Sequence, residues 1–387
     1  MIRWTLPAAL AAGRWALSRR RRRRRRARPV ELVPWAVAGA AAGVSASVLA
    51  EHRRATLLRG RAVLVTGGSR GLGLRLAREF GSYGASVAVC GRDRDRLDRA
   101  VAGLAGRGIR AHGIQCDLAD PEQARAMVEE AAERLGGLDV VVNNAGVLRV
   151  GPRATMTTAD LEEAMAVMFW GPYHVARAAW ERLRESQGSL VTITSIGGHL
   201  APPHLWPYAC AKAAQVALSE GLAAESLGTG VRVTTVVPGL MRTGSHRAVL
   251  FSGAPEREYA WFALCAGLPL LSMSADRAAR RVVRATVRGH GYVVLTPAAR
   301  LGMAAHGLAP GLTQRVSALA GWLLPAVPPE PEERPGTEAA VQGVPGQVLD
   351  ALTALNEDAA RRLNQPARAG SAPPGGGASE PDPGRSA

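Results

Sequence analysis

Between residues 60 and 298, short apolar runs alternate with longer stretches in which apolar residues recur every three or four positions. The runs at 62–66, 86–90, 112–116, 138–143, 189–194, 231–237 and 291–295 are mostly rich in Val or Ile, the pattern of strands buried on both faces. The weakest, "HGIQC" at 112–116, is kept because its place fits the alternation. Helical spacing predicts helices near 72–83, 93–106, 121–135, 158–185, 207–228 and 275–288. Regular strand–helix alternation predicts an α/β fold built on a doubly wound parallel sheet of about seven strands.

The flanks read differently. Residues 1–59 form a separate arm, 299–331 an apolar helical extension broken near Pro310, and 332–387 a tail rich in Pro, Gly and acids. The tail's composition predicts disorder, with a short helix near 346–363 as an interruption. No internal repeat is visible.

Charge sharpens this division. The net charge is +16, and residues 1–60 alone contribute +12, from fourteen Arg against Glu31 and Glu51. The basic character therefore belongs to the arm. Eight consecutive arginines, Arg19–Arg26, precede nineteen uncharged residues, Leu32–Ala50. As a helix that segment would reach about 28 Å, just enough for a bilayer. Its strong inserters are few, and Ala, Gly, Ser and Pro34 dilute them, so a membrane span, an interfacial or core-packing helix and an export signal all stay open. The four cysteines, Cys90, Cys116, Cys210 and Cys265, match neither a disulfide framework nor a zinc site, which fits a reducing compartment and no bound metal.

Candidate chemistry begins at "AVLVTGGSRGLG", Ala62–Gly73. A strand ends at Thr66 and a glycine-rich turn leads into a helix, whose free N–H groups and positive end suit a pyrophosphate. The spacing T-G-x-x-x-G-x-G places Gly67, Gly71 and Gly73, with Ser69, Arg70 and Leu72 between them. Further on come Asp117–Leu118 after the third strand and "NNAG", Asn143–Gly146, after the fourth. Ser195 follows the fifth strand, then Tyr208 and Lys212, and Pro238–Gly239 after the sixth. In this order the motifs resemble the short-chain dehydrogenase/reductase family over residues 60–298. The resemblance implies a Rossmann-type sheet and an oxidoreductase that interconverts a carbonyl and an alcohol with a nicotinamide cofactor. It also assigns Asp117 to the adenine, Asn144, Ala145 and Gly146 to the cofactor's middle, and Thr243 to the carboxamide.

An acid at the end of the second strand would hold the ribose 2′-hydroxyl of NAD. Gly91 and Arg92 stand there instead, and Arg70 lies in the turn. Two guanidinium groups suit a 2′-phosphate, so NADP(H) is expected over NAD(H).

Tyr208 and Lys212 are four residues apart on a helix and share a face, while Ser195 reaches the same place from a strand end. A free tyrosine titrates near about 10, and a neighbouring ammonium favours tyrosinate. Tyr208 is thus the expected general acid and base, Ser195 the donor to the substrate oxygen, and Lys212 the residue tuning Tyr208 and holding the ribose. Lys212 is the chain's only lysine, against 47 arginines. One departure stands out: Met168 occupies the place where family members carry an asparagine, so proton relay is weakened.

Residues 249–273, with Leu250, Phe251, Trp261 and Phe262, are expected to cover the substrate, which points to a lipophilic carbonyl or alcohol. The other reading of these residues is core or homo-oligomer packing. Anionic headgroups would suit Arg19–Arg26, giving a cytoplasmic, membrane-attached enzyme, with twin-arginine export as the alternative. A non-catalytic or weakly catalytic dinucleotide-binding protein at a membrane surface is the competing function. Nucleic-acid binding is not favoured, because the arginine run lacks interleaved aromatics.

Overall fold

The computed structural model describes residues 56–269, 271–340 and 343–367. All seven expected strands form one parallel sheet: β1 (Ala62–Val65), β2 (Ser86–Gly91), β3 (Ala111–Gln115), β4 (Val140–Asn143), β5 (Ser189–Ile193), β6 (Arg232–Val237) and β7 (Tyr292–Val294). Their order across the sheet is β3-β2-β1-β4-β5-β6-β7. The apolar runs carry no polar alternation because both faces are covered. Val63 and Val65 point into one core and Leu64 into the other, and Val87 with Val89 oppose Ala88 with Cys90 in the same way.

Parallel neighbours need crossovers, and helices supply them. On one face lie α1 (Gly71–Ser82), α2 (Arg94–Ala105) and, from late in the chain, Ala275–Arg288. On the other lie α3 (Pro121–Leu135) and the helical stretch from residue 158 to 185. Local signals start and stop these helices. Asp93 accepts from Arg96 N, Asp120 accepts from Glu122 N and Gln123 N ahead of Pro121, and Gly136 closes α3 in the left-handed region.

The stretch 158–185 is not one continuous helix. It divides into α4 (Thr158–Met165), a π-turn (Ala166–Trp170) and α5 (Gly171–Glu185). Pro172 has no N–H to offer the Met168 carbonyl, and its ring crowds that turn, so the helix widens there. Met168 consequently faces inward, fully buried with Val167, Ala164 and Ala211 and beside Tyr208. Two further helices pack on the sheet, α6 (Trp206–Glu225) and α7 (Ala275–Arg288).

The expected cover, 249–273, folds as a strand (Leu250–Gly253) and a helix (Pro255–Gly267) with its own small core. Phe251, Tyr259 and Phe262 bury one another with Val150, Leu205 and Ala339. Glu258, fully buried, fastens this helix to the loop ahead of α6 by pairing with His204 at 2.9 Å, and it also accepts from Trp261 Nε1, one turn along the same helix, at 2.7 Å. These aromatic residues are therefore packing residues, not the cover over the cleft.

The extension breaks at Pro310, as expected, into helices Pro297–Leu308 and Pro310–Trp322. Beyond 331 the short helix expected near 346–363 is present, while the other described residues up to 367, expected to lack structure, are ordered as well. Glu332–Pro335 pairs antiparallel with Leu250–Gly253, and α8 (Gly343–Arg362) packs on the cover helix. Composition misleads here because order comes from long-range pairing: Arg149 bonds Glu333, and Glu357 is held by His246 and Arg247. The arginine run and the apolar segment 32–50 lie outside the described residues. No helix among the described residues is long and apolar enough to cross a membrane.

Candidate active site

Strand order reverses at β1, with β2 on one side and β4 on the other, and the chain leaves the sheet there to form a crevice at the strand ends. The glycine turn forms its floor. Gly67 has φ +62°, and a Cβ there would sit 2.8 Å from Ala145 Cα. At Gly73 a Cβ would meet the Gly67 carbonyl at 2.3 Å and Asn144 Nδ2 at 2.5 Å. Only glycine permits this packing. Asn144 locks it, donating to the Thr66 and Gly67 carbonyls at 3.0 and 3.3 Å. Thr66 is buried under the turn and does not line the cleft. Its Oγ1 accepts from Asn144 N and Ala145 N, so it ties the first strand's turn to the fourth's.

Ser69, Arg70, Gly71 and Leu72 line one wall of the cleft with Arg92, Asp117 and Leu118. Arg96, one helical turn after Arg92, joins them and was missed in the sequence, although its spacing was readable. Arg70 is largely buried. Desolvation, then the Arg96 and Arg92 guanidinium groups, bring it down to about 10, against a smaller opposing pull from Asp93. Three cations, Arg70, Arg92 and Arg96, against two carboxylates, Asp93 and Asp117, make a wall that favours an anion. Asp117 takes a local role as well, accepting from Ala119 N at 3.1 Å.

Ala145 and Gly146 line the middle of the cleft, and Pro238, Gly239 and Thr243 its far end. The cradle around Gly67 and Gly73, the helix N-terminus and the arginine group fit a phosphorylated dinucleotide. Among the described residues no group of His, Cys, Asp or Glu has the arrangement to hold a metal ion.

Ser195, Tyr208 and Lys212 converge on this cleft. Ser195 sits just past β5, where its Oγ accepts from Gly197 N at 3.0 Å. Tyr208 and Lys212 point from one face of α6. Burial raises the Tyr208 pKa, and a hydrogen bond with Ser195 partly opposes the rise. The Lys212 Nζ lies 5.9 Å from the centre of the Tyr208 ring. Burial alone draws Lys212 down to about 7. Its ammonium donates to the Ile193 carbonyl at 2.9 Å and to Gln215 Oε1 at 2.7 Å. A cavity next to Tyr208 has an apolar side of Val147, Leu148, Val249 and Leu250 and a charged side that includes Arg149, Asp160 and Glu163.

Residues 363–365, just after α8, also reach the cleft. Gly71 N donates to the Leu363 carbonyl at 2.9 Å, and Asn364 Nδ2 donates to the carbonyls of Ser69 and Arg96 at 2.8 and 3.0 Å. Gln365 Oε1 accepts from Arg70 at 3.0 Å, while its Nε2 donates to the Thr243 carbonyl at 2.9 Å. Residues 363–365 thus bridge the glycine turn and the far end of the cleft. The chain has four asparagines, and each pins a segment at its rim: Asn143 the start of α5, Asn144 the glycine turn, Asn356 Gly244 and Asn364 Ser69. Nothing local in the sequence announces the last two.

Residues 61–250 match the profile of the short chain dehydrogenases. A 1-deoxy-11-beta-hydroxypentalenate dehydrogenase of Streptomyces exfoliatus is 36% identical over 190 residues, 48% of this chain and 69% of that protein. Oxidoreductase UcpA of Escherichia coli is 32% identical over 201 residues, covering 51% and 76%. Among solved structures, a short chain dehydrogenase from Burkholderia cenocepacia in complex with NADP superposes with a TM-score of 0.54 at 30% identity, over 63% of this chain and 99% of that one.

Proposed function

Because this chain belongs to the short chain dehydrogenase family of NAD(P)-dependent oxidoreductases acting on CH–OH groups, we propose that it interconverts a carbonyl and an alcohol with NADP(H), using Tyr208 as general acid and base. The observation that carries the reading is the convergence of Ser195, Tyr208 and Lys212 on the cleft that the glycine turn floors.

When bound, the nicotinamide cofactor supplies or takes up the hydride. Thr66, Gly67, Asn144 and Gly73 keep the floor rigid, and Arg70, Arg92 and Arg96 would hold the phosphorylated end of the cofactor. In reduction the Tyr208 hydroxyl gives its proton to the carbonyl oxygen; in oxidation it takes one back. Ser195 Oγ donates to the same oxygen and stabilises the charge that develops on it. The Lys212 ammonium opposes the upward push of burial on Tyr208, since a nearby positive charge favours tyrosinate. Its burial in turn makes that charge sensitive to whatever it touches.

The preference for NADP(H) rests on the three arginines and on Gly91 standing where an acid would repel the phosphate. A lipophilic substrate has a narrower basis than the sequence suggested. The large aromatics of 249–273 bury one another, and the apolar side of the cavity beside Tyr208 is left to Val147, Leu148, Val249 and Leu250, opposite Arg149, Asp160 and Glu163. Attachment to an anionic membrane through residues 1–59 of a cytoplasmic enzyme stays part of the reading on the strength of Arg19–Arg26 alone.

The test is Tyr208→Phe, assayed by NADPH oxidation against a panel of apolar ketones and aldehydes. Turnover should fall by about 10²–10⁴-fold with cofactor affinity retained. Undiminished reduction would remove Tyr208 from the chemistry.

A further inference from the structure

We infer that Gln215 is a positioning residue for Lys212: its side-chain carbonyl fixes the buried ammonium in the posture from which it faces the cleft. The functional meaning rests on the Tyr208–Lys212 reading above; the geometry does not.

Tyr208, Lys212 and Gln215 follow one stripe of α6, at steps of four and three residues. An ammonium only donates, so the amide oxygen, not the nitrogen, must face it, whichever way the amide is drawn. Two of the three ammonium hydrogens are then committed, to Gln215 Oε1 at 2.7 Å and to the Ile193 carbonyl at 2.9 Å. With one acceptor on the helix and one on β5, rotation of the group is stopped. The third hydrogen is left for the cleft that both Lys212 and Tyr208 line.

Burial makes this contact informative. Gln215 is 0% exposed and Lys212 4%. The other buried positions of α6 are Pro207, Ala209, Ala211, Val216 and Ser219, all small or apolar. A glutamine among them is costly, and it is only partly compensated: its Nε2 has no hydrogen-bond partner among the described residues. A leucine or methionine would fill the space without that cost. What the amide adds is an acceptor for Lys212.

No carboxylate offers itself instead. Asp160 and Glu163, on the helix packed against α6, are engaged by Arg149. Glu220, on α6 itself, acts on His199 and Tyr292. Arg232, at the start of β6, donates to Ser189. Tyr208 is neutral in its protonated form, and Met168, facing α6 from the π-turn, brings only a thioether. Nothing charged shifts Lys212, which burial draws down to about 7. The Gln215 dipole is thus the side-chain group that favours the charged form.

The sole lysine makes the test direct. Lysine labelled with ¹³C at Cε gives one resonance in the full-length protein, and its pH titration reports Lys212 alone. Gln215→Met, which keeps volume and removes the acceptor, should lower the midpoint by at least half a pH unit, about a threefold fall in the ratio of charged to neutral form at a given pH. Gln215→Glu, which keeps an acceptor in reach, should restore it to the wild-type value or above. An unchanged midpoint in Gln215→Met overturns the inference. Should methionine not fold, Gln215→Asn, one carbon too short to reach, carries the same expectation. The pH–rate profile for alcohol oxidation should move to higher pH in Gln215→Met and return in Gln215→Glu. If Tyr208→Phe keeps full activity, the catalytic reading fails while the titration still decides the contact. If Tyr208→Phe is inactive and Gln215→Met behaves as wild type in both readouts, the positioning role alone is lost.

Discussion

The Gly71 N–H donates to the Leu363 carbonyl at 2.9 Å, so a residue near the end of the described chain closes the turn that follows the first strand. Asn364 and Gln365 extend the contact across the cleft, and Asn364 adopts φ +56°, a left-handed conformation that asparagine tolerates.

Asn364→Ala removes two hydrogen bonds to the Ser69 and Arg96 carbonyls. The expected cost is about 1–3 kcal/mol of stability, because two part-buried acceptors lose their partner. Cofactor affinity should fall severalfold, since the wall carrying Arg70 and Arg96 loses its anchor. Thermal unfolding and fluorescence titration with NADPH measure both. A lowered Tm with unchanged affinity would confine the segment to a folding role.

Arg70→Ala should weaken NADPH and spare NADH. A charge-assisted hydrogen bond to the 2′-phosphate is worth about 1.5–3 kcal/mol, or roughly 10–100-fold in affinity. Removing Arg70 also relieves Arg92 and Arg96 of a like charge, which works against the loss. Comparing kcat/KM for the two cofactors decides it; equal losses on both would reject the phosphate assignment.

Lys212→Arg keeps the charge and is expected to lose about 10²-fold or more in turnover. Lys212 is 4% exposed, and a Cβ on neighbouring Gly198 would lie only 2.7 Å from the Lys212 backbone carbon, so the helix is tightly confined here. A broad guanidinium would overpack the site at about 1–3 kcal/mol and cannot keep both present acceptors in line. Steady-state kinetics, with circular dichroism to establish folding, provide the check.

Lys212 also predicts how stability varies with pH. Its pKa is about 7 when folded, against about 10.4 in an unfolded chain. Between these values the unfolded state binds more protons, so this residue makes stability rise with pH from 7 to 10. Lys212→Met lacks the contribution. Urea unfolding of both proteins should give a wild-type stability that climbs relative to the variant across that window; parallel curves would contradict the buried ammonium.

Glu357 gives the opposite limb. Burial pushes its carboxyl up, but hydrogen bonds and charge from His246 and Arg247 outweigh this and hold it at about 2. A depressed carboxyl stabilises the fold above its unfolded value and loses that contribution as pH falls through about 4 toward 2. The end of α8 should therefore loosen in acid. Limited proteolysis at pH 3 should cut there sooner than at pH 7, and Glu357→Gln should be cut readily at both.

What the sequence alone determined is local or periodic. Val-rich runs specified seven strands because residues buried on both faces leave no polar alternation, and Asp93, Asp120 and Gly136 marked helix ends through their own backbone bonding. The glycine turn was legible because only glycine fits against Ala145 and Asn144, and Tyr208 and Lys212 because a helix puts residues four apart on one face. Gln215 obeyed the same spacing, yet its meaning needed the knowledge that this face is buried. Only the tertiary structure decided the rest. It turned Phe251, Tyr259 and Phe262 into a separate core and carried Asn364 and Gln365 to a cleft whose other wall lies some 295 residues earlier. The Pro- and acid-rich stretch ahead of α8 carries no apolar period of its own. Its order, and the docking of α8, come from partners such as Arg149, His246, Arg247 and Ser69, and such pairings are made in space and not along the chain.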